Sequence, residues 1–553
     1  MTVAGGTRRP DVRSRLAAVV APIALVVLAA LLRLPNLATR GTWDADQGHD
    51  MLMLRALVRD GVIPLLGPPT SIGNVHHGAL YYYLLSPAAF LTGGDSPLAV
   101  AALIAVAGVA AVVVTWWLAR SIGGSLAGLI AGLAMAMSAS AVDESTFIWN
   151  PNLIALSSAV ALAGAWRAWS TRQPRWWLLA AVGTAVTMQC HVLGVTMLPV
   201  VGALLVADAR ARVDAAERRR VWRYGLAGLA IIAVSFLPLA IHELTTDLSE
   251  IHAALDYVRS GGDPNALGPL LRLVVIGVRV VSWPLTGLIT EAAGAALIAT
   301  IGVILLAAWL ARLGTTRERH AARWLGLGLL WTVLALTFLS PSLASVVPGL
   351  PNDHYHAFAD PMVFTLVGVG AAALWRGGPT RASAAGAAPA TAGGEAAPAG
   401  HDAAIGRPLP LGRALVVLAS IAVVAWDLAS QPPAVHPDGG YPAAETAAGR
   451  IMDAAGGTPL TLRSLPGFKS AEAYQYPLVR AGAIVRTDTS GGADTTSPGT
   501  LVVICDSLFE VAIGAPCGGP AETVVAPPDR FGRPVDRFEA APGRIISVYR
   551  PLP

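Results

Sequence analysis

The chain has 553 residues, 54% of them hydrophobic and only 13% charged, with a formal net charge of +4. With a mean hydropathy of +0.57, that balance excludes an ordinary soluble enzyme and places the chain among polytopic membrane proteins. The positive charge is almost all arginine, set between apolar segments and not in a stripe, so nucleic-acid binding has no support.

Arg8, Arg9, Arg13 and Arg15 precede an apolar run from about Leu16 to Leu34, long enough to span hydrocarbon. No small-residue cleavage site follows it, so it reads as a retained first span with its basic end in the cytoplasm. Beyond it lies Trp43-Asp44-Ala45-Asp46-Gln47-Gly48-His49-Asp50, three carboxylates and a histidine close together. From Gln47 to Asp60, apolar residues alternate with Arg55 and Arg59 in a pattern suited to a short helix in the membrane interface. Arginines on such a helix can meet a lipid phosphate.

Further spans are expected at roughly 97–118, 122–141, 152–168, 176–189, 191–207, 222–242, 292–311, 324–346, 358–375 and 414–430, giving about eleven crossings. The arginines support this alternation. Arg120, Arg167 to Arg175, Arg210 to Arg223, Arg312 to Arg323 and Arg376 to Arg413 fall in one set of loops, and acidic or aromatic residues in the other. The count requires that Gln189-Cys190-His191 be a tight hairpin. It also requires that Leu270–Leu288, which carries Arg272, Arg279 and Pro284, lie in the outer interface without crossing.

Three more loops carry polar residues. Asn74-Val75-His76-His77-Gly78-Ala79-Leu80-Tyr81-Tyr82-Tyr83 pairs two histidines with tyrosines suited to an interfacial aromatic belt; without a third ligand at characteristic spacing, no metal site is assigned. Asp143-Glu144 leads to Asn150-Pro151, a good turn and helix start. Asn352-Asp353-His354-Tyr355-His356 precedes a span, where histidines can help hold an anion.

Residues 1–376 therefore read as a multi-spanning membrane domain, and 377–412, rich in Ala, Gly and Pro, as a disordered cytoplasmic linker. Residues 413–430 read as the last span. Residues 431–553 read as a small α/β domain outside the membrane, with a helix near 443–452 and strands near 460–463, 501–505 and 545–549. Cys505 and Cys517 would then face an oxidising compartment and are expected to pair.

The loops resemble the C-type glycosyltransferases that use polyprenyl-phosphate sugars, in the branch of the lipid A aminoarabinose transferase and the protein O-mannosyltransferases. The likeness runs from the N-terminus to about Trp375. The acidic motif of the first outer loop corresponds to Trp43-Asp44-Ala45-Asp46-Gln47, and the basic residue ahead of Pro-Pro-Leu-Tyr-Tyr to His77-Gly78-Ala79-Leu80-Tyr81-Tyr82. Asn150-Pro151 stands where the family often has Asp-Pro. Asp46-Gln47 replaces an Asp-Glu pair, and Gly78-Ala79 the two prolines.

The resemblance implies transfer of a sugar from a polyprenyl-phosphate carrier to a lipid, glycan or protein acceptor at the outer face, with inversion. Asp46 would be the base, with Asp44 as helper. Arg55, Arg59, His76 or His77 would balance the departing phosphate. Tyr82, Asp143, Asn150 and His354 complete the expected substrate-binding set; no cofactor is assigned, and a divalent cation is left open. A transporter or flippase is the alternative, but its ionisable residues would sit near mid-bilayer in repeated halves. Here they sit at span ends, and no internal repeat is evident.

Overall fold

The computed structural model describes residues 12–70, 75–259, 267–345, 353–377, 411–467, 469, 471–487 and 499–552. Most of the expected linker, 378–410, lies outside them, as do Arg8, Arg9, Asn74 and Asn352. Among the described residues, eight helices are long and apolar enough to cross a membrane. They are Pro97–Gly123, Asn150–Thr171, Val192–Arg210, Pro269–Thr286, Ile289–Leu313, Thr316–Leu339, Asp353–Trp375 and Leu411–Ala429. A bent pair, Ala215–Ser235 with Leu237–Thr245, makes a ninth, and Val20–Arg33, Ser125–Met137 and Trp176–Cys190 are shorter apolar helices.

Small residues let these helices approach closely, as packing without a hydrophobic driving force requires. A Cβ on Gly183 would stand 2.4 Å from the backbone of Ala161, and one on Gly368 would stand 2.4 Å from Ala127 O. The turn at His191 is a hairpin: Trp177 Nε1 donates to Asp208 at 3.1 Å, so the ends of the two arms farthest from the turn lie together. Asp208 also pairs with Arg172 and Arg212, which keeps a buried carboxylate compensated at the arginine-bearing end.

What needs correction for residues 270–288 is the setting of Arg279. Residues 270–288 form Pro269–Thr286, which satisfies the length and composition of a span. Its Arg279 is not at a membrane surface; it is buried in a bidentate pair with Asp353, at 2.8 and 2.6 Å. An arginine that finds a carboxylate and carbonyl acceptors inside the bundle has no need of lipid headgroups.

The C-terminal unit is a five-stranded mixed sheet in the order Val485–Thr487, Leu460–Leu465, Thr500–Asp506, Arg544–Tyr549, Asp536–Ala541. The first three strands run parallel and the last two pair antiparallel. Thr500–Asp506 is apolar almost throughout because it is central and covered on both faces. The expected strands and helix are present, the helix as Gly440–Ala455; a second helix, Glu472–Arg480, gave no signal strong enough to be expected. Cys505 and Cys517 form a disulfide.

This unit packs directly on the acidic loop. Trp43 Nε1 donates to Ala473 O at 2.7 Å, while Thr42 Oγ1 and Trp43 N donate to Asp438 at 2.7 and 2.9 Å. Gly48 faces Glu472 so closely that a Cβ there would lie 2.1 Å from the Glu472 carbonyl oxygen. The helix Ala45–Arg59 is thus held between the membrane bundle and the sheet domain.

Candidate active site

The helix Ala45–Arg59 begins earlier than its apolar pattern indicates, because Asp44 caps it. Asp44 accepts from the first-turn backbone, and Gln47 Oε1 accepts in return from Asp44 N at 2.8 Å, a complete capping box. Gln47 Nε2 also donates to Ile148 O, tying the helix start to the loop before Asn150. These bonds fix the direction in which the next side chains point.

Each acidic-loop residue then has a distinct environment. Asp44 lies 3.0 Å from Arg544 and 3.8 Å from Lys469, both from the sheet domain. His49 Nδ1 sits 3.0 Å from the Glu472 carboxylate. Burial opposes charge on His49, but Glu472 and then Asp50 and Asp46 outweigh it and hold its pKa above the ordinary value. Asp50 is buried and accepts from Tyr81 at 2.6 Å and Tyr82 at 3.0 Å. Burial pushes its pKa up to about 7, although His49 and the two hydroxyls pull the other way.

Asp46 alone of the three points outward and stays exposed. The protein walls around its cleft raise its pKa, Asp44 adds to this by like charge, and the Trp149 indole donates to it. Exposure here describes access, while the raised pKa describes the poorly solvated surroundings of an open cleft. Trp149 carries the site further: its ring lies 3.7 Å from that of His354, His191 packs on Tyr355 at 4.7 Å, and His77 packs on His191 at 4.8 Å.

The expected residues thus separate into groups. Asp46 and His354 meet at Trp149 with Asp44 beside Asp46, while Tyr82 is buried on Asp50. His77 is buried too, its pKa lowered to about 3 by burial and by His76, so it is neutral at ordinary pH. His76 is paired with Glu250 at 2.8 Å. Asn150 donates to Cys190 O at 2.6 Å and serves the bundle. Asp143 is turned toward Arg40 and His436, with its pKa raised mainly by burial.

Arg55 and Arg59, expected to meet the donor phosphate, instead both pair with Asp95. They lie four positions apart on one helical face, and a carboxylate just beyond the next helix satisfies both. The tyrosine belt is corrected too, since Tyr81 and Tyr82 are fully buried on Asp50 and Tyr83 donates to Pro64 O. Lys469, Glu472 and Arg544 were not singled out from the sequence: no local pattern links them to a motif at the opposite end of the chain. Among the described residues, no group of three or more His, Cys, Asp or Glu is placed to hold a metal ion.

Residues 76–242 match the family described as dolichyl-phosphate-mannose-protein mannosyltransferase. No curated protein matches the chain. Among solved structures, ArnT from Cupriavidus metallidurans in the apo state superposes with a TM-score of 0.56 at 12% identity, covering 97% of this chain and 98% of that one. The same protein bound to undecaprenyl phosphate gives 0.51 at 12% identity, covering 98% of each. At that identity the likeness is one of fold, and it extends through the sheet domain, past Trp375 where the motif likeness ends.

Proposed function

We infer that this chain is a membrane glycosyltransferase with the C-type fold that draws on a lipid-phosphate-linked sugar. It moves the sugar from a polyprenyl-phosphate carrier to a hydroxyl acceptor on a lipid, glycan or protein at the outer face of the membrane, with inversion. The observation that carries this reading is the different state of the three loop carboxylates. Asp44 caps a helix and faces two cations, and Asp50 is locked on two tyrosines. Asp46 alone is left open to the cleft with a raised pKa.

A general base must be reachable by the proton it takes and must have a pKa close enough to the working pH to accept it. Asp46 is open to the cleft, and its surroundings shift its pKa upward, in the direction a base needs. It would take the acceptor hydroxyl proton as the oxygen attacks the anomeric carbon and the carrier phosphate leaves with the bond electrons. The Trp149 indole donates to Asp46, and Gln47 ties the start of its helix to Ile148.

The test is turnover by the purified chain with a panel of polyprenyl-phosphate sugars, alongside Asp46→Asn. Wild-type transfer, with a loss of roughly a hundredfold or more in the variant, supports the reading. Absence of transfer from every carrier-linked sugar in a protein that still binds the carrier would overturn it.

A further inference from the structure

The departing group is a lipid phosphate, and its growing negative charge needs a cation in the cleft that is free to approach it. The residues expected to supply it are committed elsewhere. Arg55 and Arg59 share Asp95, His76 is paired with Glu250, and His77 is buried against His191 and neutral. Arg279 is buried on Asp353.

The sheet domain brings two other cations to the acidic loop. Arg544 is mostly buried, lies 3.0 Å from Asp44, and also faces Asp506. It is fixed by two carboxylates and by the backbone at Trp43. Lys469 is different: 29% of its side chain is exposed, it lies 3.8 Å from Asp44, and its ammonium stands 4.9 Å over the Phe509 ring. The ion pair is near the outer limit for such a contact and a ring contact at a partly exposed site is weak, so the ammonium is positioned at the loop without being held there tightly. It is also the single lysine of the chain, where every other fixed cation is an arginine. A compact ammonium on a flexible stem meets a phosphate as a point charge.

We propose that the C-terminal domain completes the active site, and that Lys469 is the donor-binding residue that engages the carrier phosphate, with Asp44 holding it in place until the donor arrives. The inference rests on the transferase reading above and adds the residue that receives the phosphate charge. Arg544 positions Asp44 and thereby Lys469. The sheet domain is on this account part of the catalytic unit.

The experiment uses the full chain in detergent micelles, with binding of undecaprenyl phosphate as the probe and transfer kinetics from a carrier-linked sugar as the second readout. Lys469→Ala removes the charge and Lys469→Arg keeps it. For Ala the expected result is carrier binding weakened by about tenfold to a hundredfold, the usual effect of losing one charge-assisted contact. The donor KM should rise with it, the acceptor KM should be unchanged, and Lys469→Arg should recover most of the binding. Carrier binding unchanged in Lys469→Ala would overturn the assignment, as would a rise confined to the acceptor KM. These results would leave the transferase reading intact if wild type still turns over. A wild type that neither binds the carrier nor transfers sugar would remove both.

Discussion

Gly48→Ala is the sharpest test of the seam between the acidic helix and the sheet domain. The added Cβ would lie 2.1 Å from Glu472 O, 2.3 Å from its carbonyl carbon and 2.7 Å from Ala473 N, all backbone atoms that cannot swing aside. Ordinary contact begins at 3.4 Å, well beyond all three. To relieve the overlap the two helices must separate by roughly 1 Å, because a packed interior leaves no void to absorb the methyl group. That shift takes the 2.7 Å bond from Trp43 to Ala473 beyond hydrogen-bond reach and moves Glu472 from His49 and Lys469 from Asp44. Overpacking of this kind costs about 1 to 3 kcal/mol, against a gain of up to about 1 kcal/mol from replacing glycine inside a helix. The loss of melting temperature should therefore be small, whereas a displacement of about 1 Å in a catalytic constellation typically costs about a hundredfold in rate. Gly449→Ala is the control, a helical glycine of the sheet domain with nothing within 4 Å of the new Cβ. It should be neutral or slightly stabilising and fully active. Turnover and thermal melting of both variants decide the matter. A Gly48→Ala protein with wild-type turnover would refute the claim that this seam sets the site.

Three further expectations concern titration and covalent structure. Turnover should rise with pH through the raised pKa of Asp46, since the base works only when deprotonated. Asp44→Asn, which keeps a good helix cap but removes the like charge, should move that midpoint to lower pH; an unmoved midpoint would separate the two residues. Asp50 has a folded-state pKa raised to about 7, so its contribution to stability is best at low pH and is lost as pH rises from the unfolded value through 7. Asp50→Asn removes this titration, and its stability relative to wild type should improve by on the order of 2 to 3 kcal/mol between pH 5 and 8; a difference independent of pH would count against a buried, titrating Asp50. Cys505 and Cys517 should accept a thiol label only after reduction, and labelling of both without reductant would contradict the bond.

The membrane bundle was legible because an apolar run of span length has few other uses, and because arginines collect at one end of such runs. The acidic loop was legible for a related reason: carboxylates this dense, placed directly after a span, need a purpose. What the loop residues do was less so. Asp44 read as a helper base, although the spacing Asp44 to Gln47 already carries a capping box, and the cap is its visible role. Arg55 and Arg59 read as phosphate ligands because a helix face shows which side chains point together but not that Asp95 waits opposite. Lys469 and Arg544 had no signal, since only the folded chain sets the sheet domain on the loop. Arg279 misled in the opposite sense: a charge in an apolar segment suggested an interface, and its partner Asp353, 74 positions on, supplied a buried alternative.

The same contacts bear on topology, through parity. Thr42 and Trp43 bond Asp438, so the loop after the first helix and the domain after the last helix share one end of the bundle. Between them the chain must cross an even number of times. Glu250 bonds His76, and Thr286 O accepts from Trp426, whose helix leads on to Asp438. Pro269–Thr286 is long enough to cross, and the arginine pattern is met only if it does not. The remaining helices after the first comprise Pro97–Gly123, Ser125–Met137, Asn150–Thr171, the two arms of the hairpin, the bent pair, Ile289–Leu313, Thr316–Leu339, Asp353–Trp375 and Leu411–Ala429, an even set. With Val20–Arg33 the chain would cross eleven times, with the N-terminus inside and the sheet domain outside, as the arginines require. Reporter fusions after Arg220 and after Ala443 should therefore report opposite sides of the membrane. Both reporters on one side would mean that Pro269–Thr286 crosses after all. The sheet domain and the acidic loop would then lie across the membrane from one another, and Lys469 could not reach a phosphate held beside Asp46.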